Sequence, residues 1–395
     1  MSTRTYIKSL TVIAGDYPAE GHIVLVFVQQ LVHAIMDLGI KVTVIAPQSV
    51  VHAIFRRQKF LPRRSIASTQ KGTKYEIYRP YIFTFGNNKR LNSFWKKFNN
   101  FQVSSVLKKL YNEVIYAHFW SSAQFVSHFA IEKKIPLFVA YGESGDAQEK
   151  MASSLNSAQL KELSSSVSGV ISVSSENKRK CIKYKLANEE LIGVFPNCVD
   201  TMIFYKKDEK ELRKKLGILP DDFVVIFVGA FIPRKGPNRL AEAITKINDP
   251  HLKVIFVGKV FSGYPFDFNC PGIVYKGALD HEILPKFLNA ADVFVLPTRN
   301  EGCCNAIVEA LAVGLPIISS DGAFNDDILD DQNSIRVDPD DVDAIADAIV
   351  RLRDNAALRK QMSEITVSRH ESYSIEGRAK RIIDFMNRII GNNLS

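Results

Sequence analysis

Short apolar runs, most of them closed by Gly, Pro or Asp, alternate with longer stretches of mixed polarity along most of the chain. YIKSLTVIAG, starting at Tyr6, reads as a buried strand that stops at glycine. DYPAEG follows as a loop by its Asp, Pro and Gly content. HIVLVFVQQLVHAIMDLG is long enough for a helix, with Gly39 as its C-terminal stop, and IKVTVIAP is the next strand. Strand, helix, strand in that order predicts a parallel pair joined by a crossover helix. EVIYAHFW, SAQFVSHFAIEKK and IPLFVAYG repeat the order, and VSGVISVS and IGVFPN extend it.

A second series begins after Pro196. DFVVIFVGAF, LKVIFVGK, GIVYKGAL, DVFVLPT and LPIISSD read as strands. RKGPNRLAEAITKI, HEILPKFLNAA and CNAIVEALAVG read as helices, as does DDVDAIADAIVRLRDN, whose acidic start suits the helix dipole. Two such series predict an α/β protein of two doubly wound, Rossmann-like parallel-sheet domains. The length of 395 residues agrees, since single cores rarely grow past roughly 250–300 residues. Apolar periodicity lapses in PNCVDTMIFYKKDEKE. The boundary is therefore expected there, giving domains 1–197 and 198–372, with a C-terminal helix at 373–395 packing back on the first. Ligands of open α/β sheets bind beyond the carboxyl ends of the strands, so the expected site is the cleft across which the two domains face each other.

Charge and composition refine this picture. The formal net charge is +9, yet residues 51–110 alone hold fourteen Lys or Arg against one acid, Glu76, so the basic character belongs to one segment. Within it Phe94, Trp95, Phe98 and Phe101 recur at helix-like spacing around Lys96 and Lys97, the composition of an interfacial helix on an anionic membrane surface. Part of that stripe could equally be core. No nucleic-acid-binding motif accompanies the basic segment, so no nucleic-acid partner is expected. Five scattered cysteines, without metal-ligand spacing, fit neither a disulfide framework nor zinc. The N-terminal MSTRTYIKSLTVIAGDYP lacks the apolar core of a signal peptide, and no run approaches the ~20 apolar residues of a membrane span. A cytoplasmic protein, peripheral on the inner face of the membrane, is expected.

One stretch carries candidate chemistry. NEGCCNAIVEAL, Asn300 to Leu311, has two carboxylates eight residues apart, Glu301 just after a strand and Glu309 about two turns into the next helix. Eight helical residues span ~12 Å at ~1.5 Å each, about the distance from sugar to ribose in a nucleotide sugar. Between them the helix start offers amides at Cys303, Cys304, Asn305 and Ala306, and amides at a helix N-terminus bind phosphate. The spacing alone also fits a helix with two solvated glutamates.

Glu301 and Glu309, within LPTRNEGCCNAIVEALAVGLPIISSD, resemble the E-x7-E signature of the retaining glycosyltransferases of family four, which have the GT-B fold. VGAFIPRKGPNRLAEAI resembles that family's phosphate-binding strand, loop and helix. FPNCVDTMIF resembles its interdomain segment, and GDYPAEGH and YAHFWSSAQFV resemble parts of its N-terminal domain.

The resemblance implies transfer of a sugar, with retention, from a nucleotide-diphosphate donor (UDP or GDP) to a hydroxyl of a glycan or lipid-linked acceptor, as in cell-surface polysaccharide synthesis. It implies neither a cofactor nor a metal. Glu301 would hold the donor sugar, and Glu309 the ribose. Gly302 and the amides from Cys303 to Ala306 would meet sugar and phosphate. Arg234 and Lys235 would stabilise the departing diphosphate, although both also fit a basic turn. His118 would face the donor sugar or the acceptor, although its aromatic neighbours also suit a core histidine. Gly15 and Gly21 flank the first loop, where glycine lets backbone approach a phosphate but is also routine. Relatives often carry arginine where this chain has Ala230, so Arg234 would supply that charge. Glu143 has no assigned role, and the carboxylates of FNDDILDD and DPDDVD are expected in solvated turns and helix caps. Other readings are a different GT-B enzyme, such as a sugar-nucleotide epimerase or a phosphorylase, or a catalytically idle nucleotide-sugar-binding protein.

Overall fold

In the computed structural model, the described residues are 7–15, 17–19, 26–55, 59–86, 88–143, 147–260 and 267–392. The chain forms two compact units, Met1–Phe195 with Ala379–Ser395, and Pro196–Arg378.

The first unit contains β1 (Ser9–Ile13), α1 (Val26–Asp37), β2 (Lys41–Ile45), β3 (Gln48–Ser49), α2 (Val50–Phe55), β4 (Arg64–Ser68), β5 (Lys74–Tyr78) and β6 (Tyr81–Ile82). It continues with α3 (Lys89–Leu107), β7 (Val114–His118), α4 (Trp120–Lys133), β8 (Leu137–Tyr141) and α5 (Ala147–Ala152). It closes with α6 (Ser157–Ser166), β9 (Gly169–Ser172), α7 (Ser175–Lys183) and β10 (Ile192–Val194). Its main sheet runs β10-β9-β8-β7-β1-β2-β5-β4. Strands β7, β8 and β9 are buried at every position, which is why they read as continuous apolar runs: helices cover both faces of a parallel sheet. The order reverses between β1 and β7, and β1 pairs in parallel with β2 on one side and β7 on the other.

One edge departs from the expected all-parallel sheet. β4 pairs antiparallel with β5, Arg64 opposite Tyr78 and Ser68 opposite Lys74. Its sequence RSIAS is exposed at alternate positions, and such a short, polar edge strand has no apolar run to announce it.

The second unit contains α8 (Lys210–Lys215), β11 (Phe223–Val228), α9 (Pro237–Ile247), β12 (Leu252–Val257), β13 (Ile273–Gly277) and α10 (Leu284–Asn289). β14 (Val293–Leu296), α11 (Asn305–Ala312), β15 (Ile317–Ser320), β16 (Ser334–Val337), α12 (Val342–Asp354) and α13 (Ala356–Ser368) follow. The sheet runs β13-β12-β11-β14-β15-β16, parallel throughout. Phe227, Phe256 and Phe294 are fully buried on its central strands, each worth about 1.5–3 kcal/mol of apolar burial. The order reverses between β11 and β14, so the loops leaving these two strands lie at the topological switch point where open α/β sheets bind ligands.

The last helix, α14 (Ile375–Asn392), begins in the second unit and passes into the first at Ala379, so residues 373–378 stay with the second unit. In the first unit Phe385 packs on Phe138 and Phe195, and Asn387 accepts the Ile7 amide at 3.2 Å.

Candidate active site

The loop from β11 to α9 carries Arg234 and Lys235, and the loop from β14 to α11 carries Glu301. These loops leave the two strands at the reversal point of the sheet. They are laced together. The Arg299 amide donates to the Arg234 carbonyl at 3.0 Å, and the Arg234 guanidinium donates to the Asn300 carbonyl. Arg239, buried on α9, donates to the carbonyls of Pro233 at 2.9 Å and Pro297 at 2.6 Å, clamping both loop bases. Gly236 makes this clamp possible. Its φ of 77° is left-handed, and a Cβ there would lie 2.5 Å from Arg239 Nη2 and 2.6 Å from the Pro297 oxygen.

Glu301 is buried and accepts three hydrogen bonds on Oε1: from Lys235 Nζ at 2.6 Å, Arg234 Nη1 at 3.0 Å and Thr298 Oγ1 at 2.7 Å. Two cations on one carboxylate leave the cluster positive, and most of the Lys235 side chain is buried. Burial works most strongly against the Lys235 ammonium, but its neighbours Cys304 and Glu301 together outweigh it and hold Lys235 above the usual lysine value. The Cys304 thiol is itself pushed up by burial, so at neutral pH it is protonated and Glu301 is the working counter-charge. Cys303 is pushed up to about 12 by burial, and neither thiol is a nucleophile near neutrality.

Gly302 and Cys303 form the bend into α11, and Cys304 is the N-cap, without a side-chain cap hydrogen bond. Its sulfur lies toward the Ala306 and Ile307 amides. The Ile307 amide also donates to the Cys304 carbonyl at 3.1 Å, whereas a thiol is a weak acceptor and leaves the Ala306 amide its affinity for an anion. Asn197 fixes the bend: its side chain donates to the Cys303 carbonyl at 3.0 Å and to Asn305 Oδ1 at 2.8 Å. The helix begins only at Asn305, so Glu309 stands one turn in, not two. The eight-residue spacing is half loop and half helix, because the bend at Gly302 and Cys303 interrupts it, and it does not measure ~12 Å of continuous helix. Glu309 is buried, with Oε1 2.8 Å from His281 Nε2.

The second unit thus brings together Arg234, Lys235, Glu301, Gly302, Cys303, Cys304, Asn305, Ala306 and Glu309. Two expected partners lie in the first unit. His118 is the last residue of β7, buried, with Nδ1 3.4 Å from the Tyr116 hydroxyl and its ring beside Phe27 and Phe119. Gly15 follows β1, so both residues sit at the reversal point of the first sheet, and no atom within 4 Å would meet a Cβ on Gly15. Gly21 lies outside the described residues.

Glu143 follows β8, and its carboxyl is pushed up to about 7 by burial, against the backbone amides of Glu143, Trp120 and Gly142. Its Oε2 is buried without a hydrogen-bond partner among the described residues. The acidic C-terminal loops are structural: Asp341 caps α12, Asp326 pairs with Arg336, and Asp340 with Arg299.

Thr298, Arg239, Asn197 and His281 escaped the sequence reading. Asn197, Arg239 and Thr298 lay within the quoted motifs FPNCVDTMIF, VGAFIPRKGPNRLAEAI and LPTRNEGCCNAIVEALAVGLPIISSD, but the contacts of Asn197, Arg239 and His281 cross distances in sequence that no local pattern displays.

Two family profiles cover most of the chain. Residues 24–202 match Glycosyltransferase Family 4, and residues 208–369 match Glycosyl transferases group 1. TuaC of Bacillus subtilis (strain 168), provisionally named as a teichuronic acid biosynthesis glycosyltransferase, is 27% identical over 85% of this chain and 85% of its own. A UDP-Gal:alpha-D-GlcNAc-diphosphoundecaprenol alpha-1,3-galactosyltransferase of Escherichia coli is 29% identical over 56% of this chain and 61% of its own. The structure of a sucrose-phosphate synthase from Thermosynechococcus elongatus aligns over 98% of this chain and all of that one, with a TM-score of 0.74 at 18% identity.

Proposed function

Because this chain belongs to the group 1 and family 4 glycosyltransferases, with their GT-B fold of two Rossmann-like domains, we propose that it moves a sugar from a nucleotide-diphosphate donor to a hydroxyl acceptor, with retention and without a bound metal. The observation that carries this reading is the convergence of Lys235 and Arg234 on Glu301, at the mouth of α11 and at the reversal point of the sheet. A diphosphate bridge entering there meets two cations and the opening amides of a helix. Those groups are worth most when charge builds up on the departing phosphate, which is where catalysis needs them. Glu301, held by three donors, is oriented to take hydroxyls of the sugar, and Glu309 one turn into α11 takes those of the ribose. The acceptor hydroxyl attacks from the face the diphosphate leaves, and the leaving phosphate oxygen takes its proton. His118, at the reversal point of the first sheet, is the candidate contact to the donor sugar or the acceptor.

The donor nucleotide is UDP or GDP. A glycan or lipid-linked acceptor in cell-surface polysaccharide synthesis fits the relatives, which are named for teichuronic acid and for a diphosphoundecaprenol-linked substrate. The surface of the first unit supports work at a membrane. On α3, Leu91, Phe94, Phe98 and Phe101 form one exposed stripe beside the exposed Arg90 and Lys97, and Ile54 and Phe55 of α2 are exposed as well. Trp95 stacks on Phe83 and Asn99 bonds the Phe83 backbone, so the other face of α3 is core. Arg56 and Arg57 lie outside the described residues. Among the described residues no helix is long and apolar enough to cross a membrane, so the proposed attachment is peripheral, on the cytoplasmic face.

The test is release of UDP or GDP from UDP- and GDP-sugars, with and without extracted membrane lipid. The reading expects slow hydrolysis by the wild type alone, acceleration by an acceptor, and neither from Lys235→Ala or Glu301→Ala. Equal release by all three proteins would overturn it.

A further inference from the structure

Glu309 is already engaged in this structure. Its Oε1 lies 2.8 Å from Nε2 of His281, in the segment between β13 and α10. Glu309 is 7% exposed, whereas about half of the His281 side chain reaches solvent, so the histidine covers the carboxylate from outside. The ring of Phe204 packs beside the imidazole, centroids 5.2 Å apart. The groups that act on the imidazole electrostatically are Glu309, from α11, and Glu282 beside it in sequence, while Phe204 adds an apolar ring. The hydrogen bond to Glu309 holds His281 above the usual histidine range. Burial opposes this more weakly, and the charges of Glu309 and Glu282 add to it.

We propose that His281 positions Glu309 for the ribose and that the proton on His281 controls how tightly the site holds its nucleotide. This rests on the nucleotide-sugar reading above and adds a control to the same site. A buried carboxylate beside a ligand that carries several negative charges is unfavourable on its own. An imidazolium makes the pair neutral, fixes the carboxylate through Oε1 and leaves Oε2 for the ribose hydroxyls. Loss of the proton removes the compensating charge and lets the ring adopt the tautomer in which Nε2 no longer donates. Both changes weaken nucleotide binding as pH rises. By linkage, nucleotide binding favours the protonated histidine and takes up a proton.

Calorimetric titrations with UDP, GDP and ADP, from about pH 6 to about pH 9, test this on wild type, His281→Gln and His281→Ala. Glutamine still donates an N–H to Glu309 but does not titrate. Dividing the wild-type affinities by those of His281→Gln cancels the ionisation of the nucleotide itself. That ratio is expected to fall about threefold or more across the range. Wild type is expected to take up more protons on binding than His281→Gln does, as read in buffers of different ionisation enthalpy. His281→Ala is expected to lose part of the preference for the ribonucleotide over its 2′-deoxy form. Parallel pH profiles for wild type and His281→Gln, with equal proton uptake, would overturn the proposal while leaving the nucleotide-sugar reading intact. Binding of none of the three nucleotides would overturn both.

Discussion

Alanine at Gly236 should be far more damaging than alanine at Gly217, although both glycines have left-handed backbone, φ 77° and 70°. The backbone cost is common to the two, about 1–2 kcal/mol for an L-residue in this region. At Gly217 nothing lies within 4 Å of the added Cβ, so little else is expected. At Gly236 the Cβ falls 2.5 Å from Arg239 Nη2 and 2.6 Å from the Pro297 oxygen, into a hydrogen bond that is itself 2.6 Å long. Relief requires Arg239 to withdraw, giving up at least one charge-assisted bond worth about 1.5–3 kcal/mol. Gly236→Ala should therefore destabilise by roughly 3–5 kcal/mol and Gly217→Ala by about 1–2 kcal/mol. Both residues lie in the second unit, whereas both tryptophans, Trp95 and Trp120, lie in the first. Urea unfolding must accordingly be followed by far-UV circular dichroism rather than tryptophan fluorescence, with unchanged slopes as the check on comparability. Equal losses for the two variants would refute the clash argument and, with it, the claim that Arg239 clamps the Arg234–Lys235 loop.

Other expectations follow from the same geometry. Lys235→Ala and Glu301→Ala should each lower transfer by about a hundredfold or more, while circular dichroism still shows a folded chain. Wild-type turnover in either would dissolve the site. Glu143, with its folded-state pKa raised to about 7 from an ordinary ~4.3, contributes stability below pH ~4.3 that is lost as pH rises through about 7. Glu143→Gln should thus gain on wild type between pH 5 and pH 8, by up to roughly 2–3 kcal/mol; unfolding curves that keep the same offset at both pH values would contradict this. Replacing Phe94 and Phe101 with serine should reduce sedimentation with anionic vesicles at low salt. If wild type pelleted equally with neutral and anionic vesicles, the α3 surface would not be an electrostatic anchor.

What the sequence displayed follows from how each feature is encoded. Parallel strands buried on both faces are continuous apolar runs, so β7, β8, β11, β12 and β14 were legible, and with them both sheets. The antiparallel edge β4 was not, because RSIAS buries none of its residues fully. Glu301 and Glu309 stood out through a local spacing that the family shares. Arg234 and Lys235 stood out too, but their pairing with Glu301 did not, nor did His281. Lys235 reaches Glu301 across the reversal point, and His281 reaches Glu309 from a loop 28 residues earlier, contacts set by tertiary packing alone. The helix itself was legible, but Glu309 stands one turn into it rather than two, because the eight-residue spacing includes the bend at Gly302 and Cys303.

In the proposed complex the nucleotide sugar lies against the carboxyl ends of β11 and β14, its diphosphate at Lys235 and the α11 opening. A crystal structure of the protein with bound UDP or GDP tests this most directly. Ribose hydroxyls are expected on Glu309, and phosphate oxygens within hydrogen-bond reach of Lys235 and the first amides of α11. A nucleotide bound at any other place, with Lys235 still closed on Glu301 and Glu309 distant from the pentose, would contradict it.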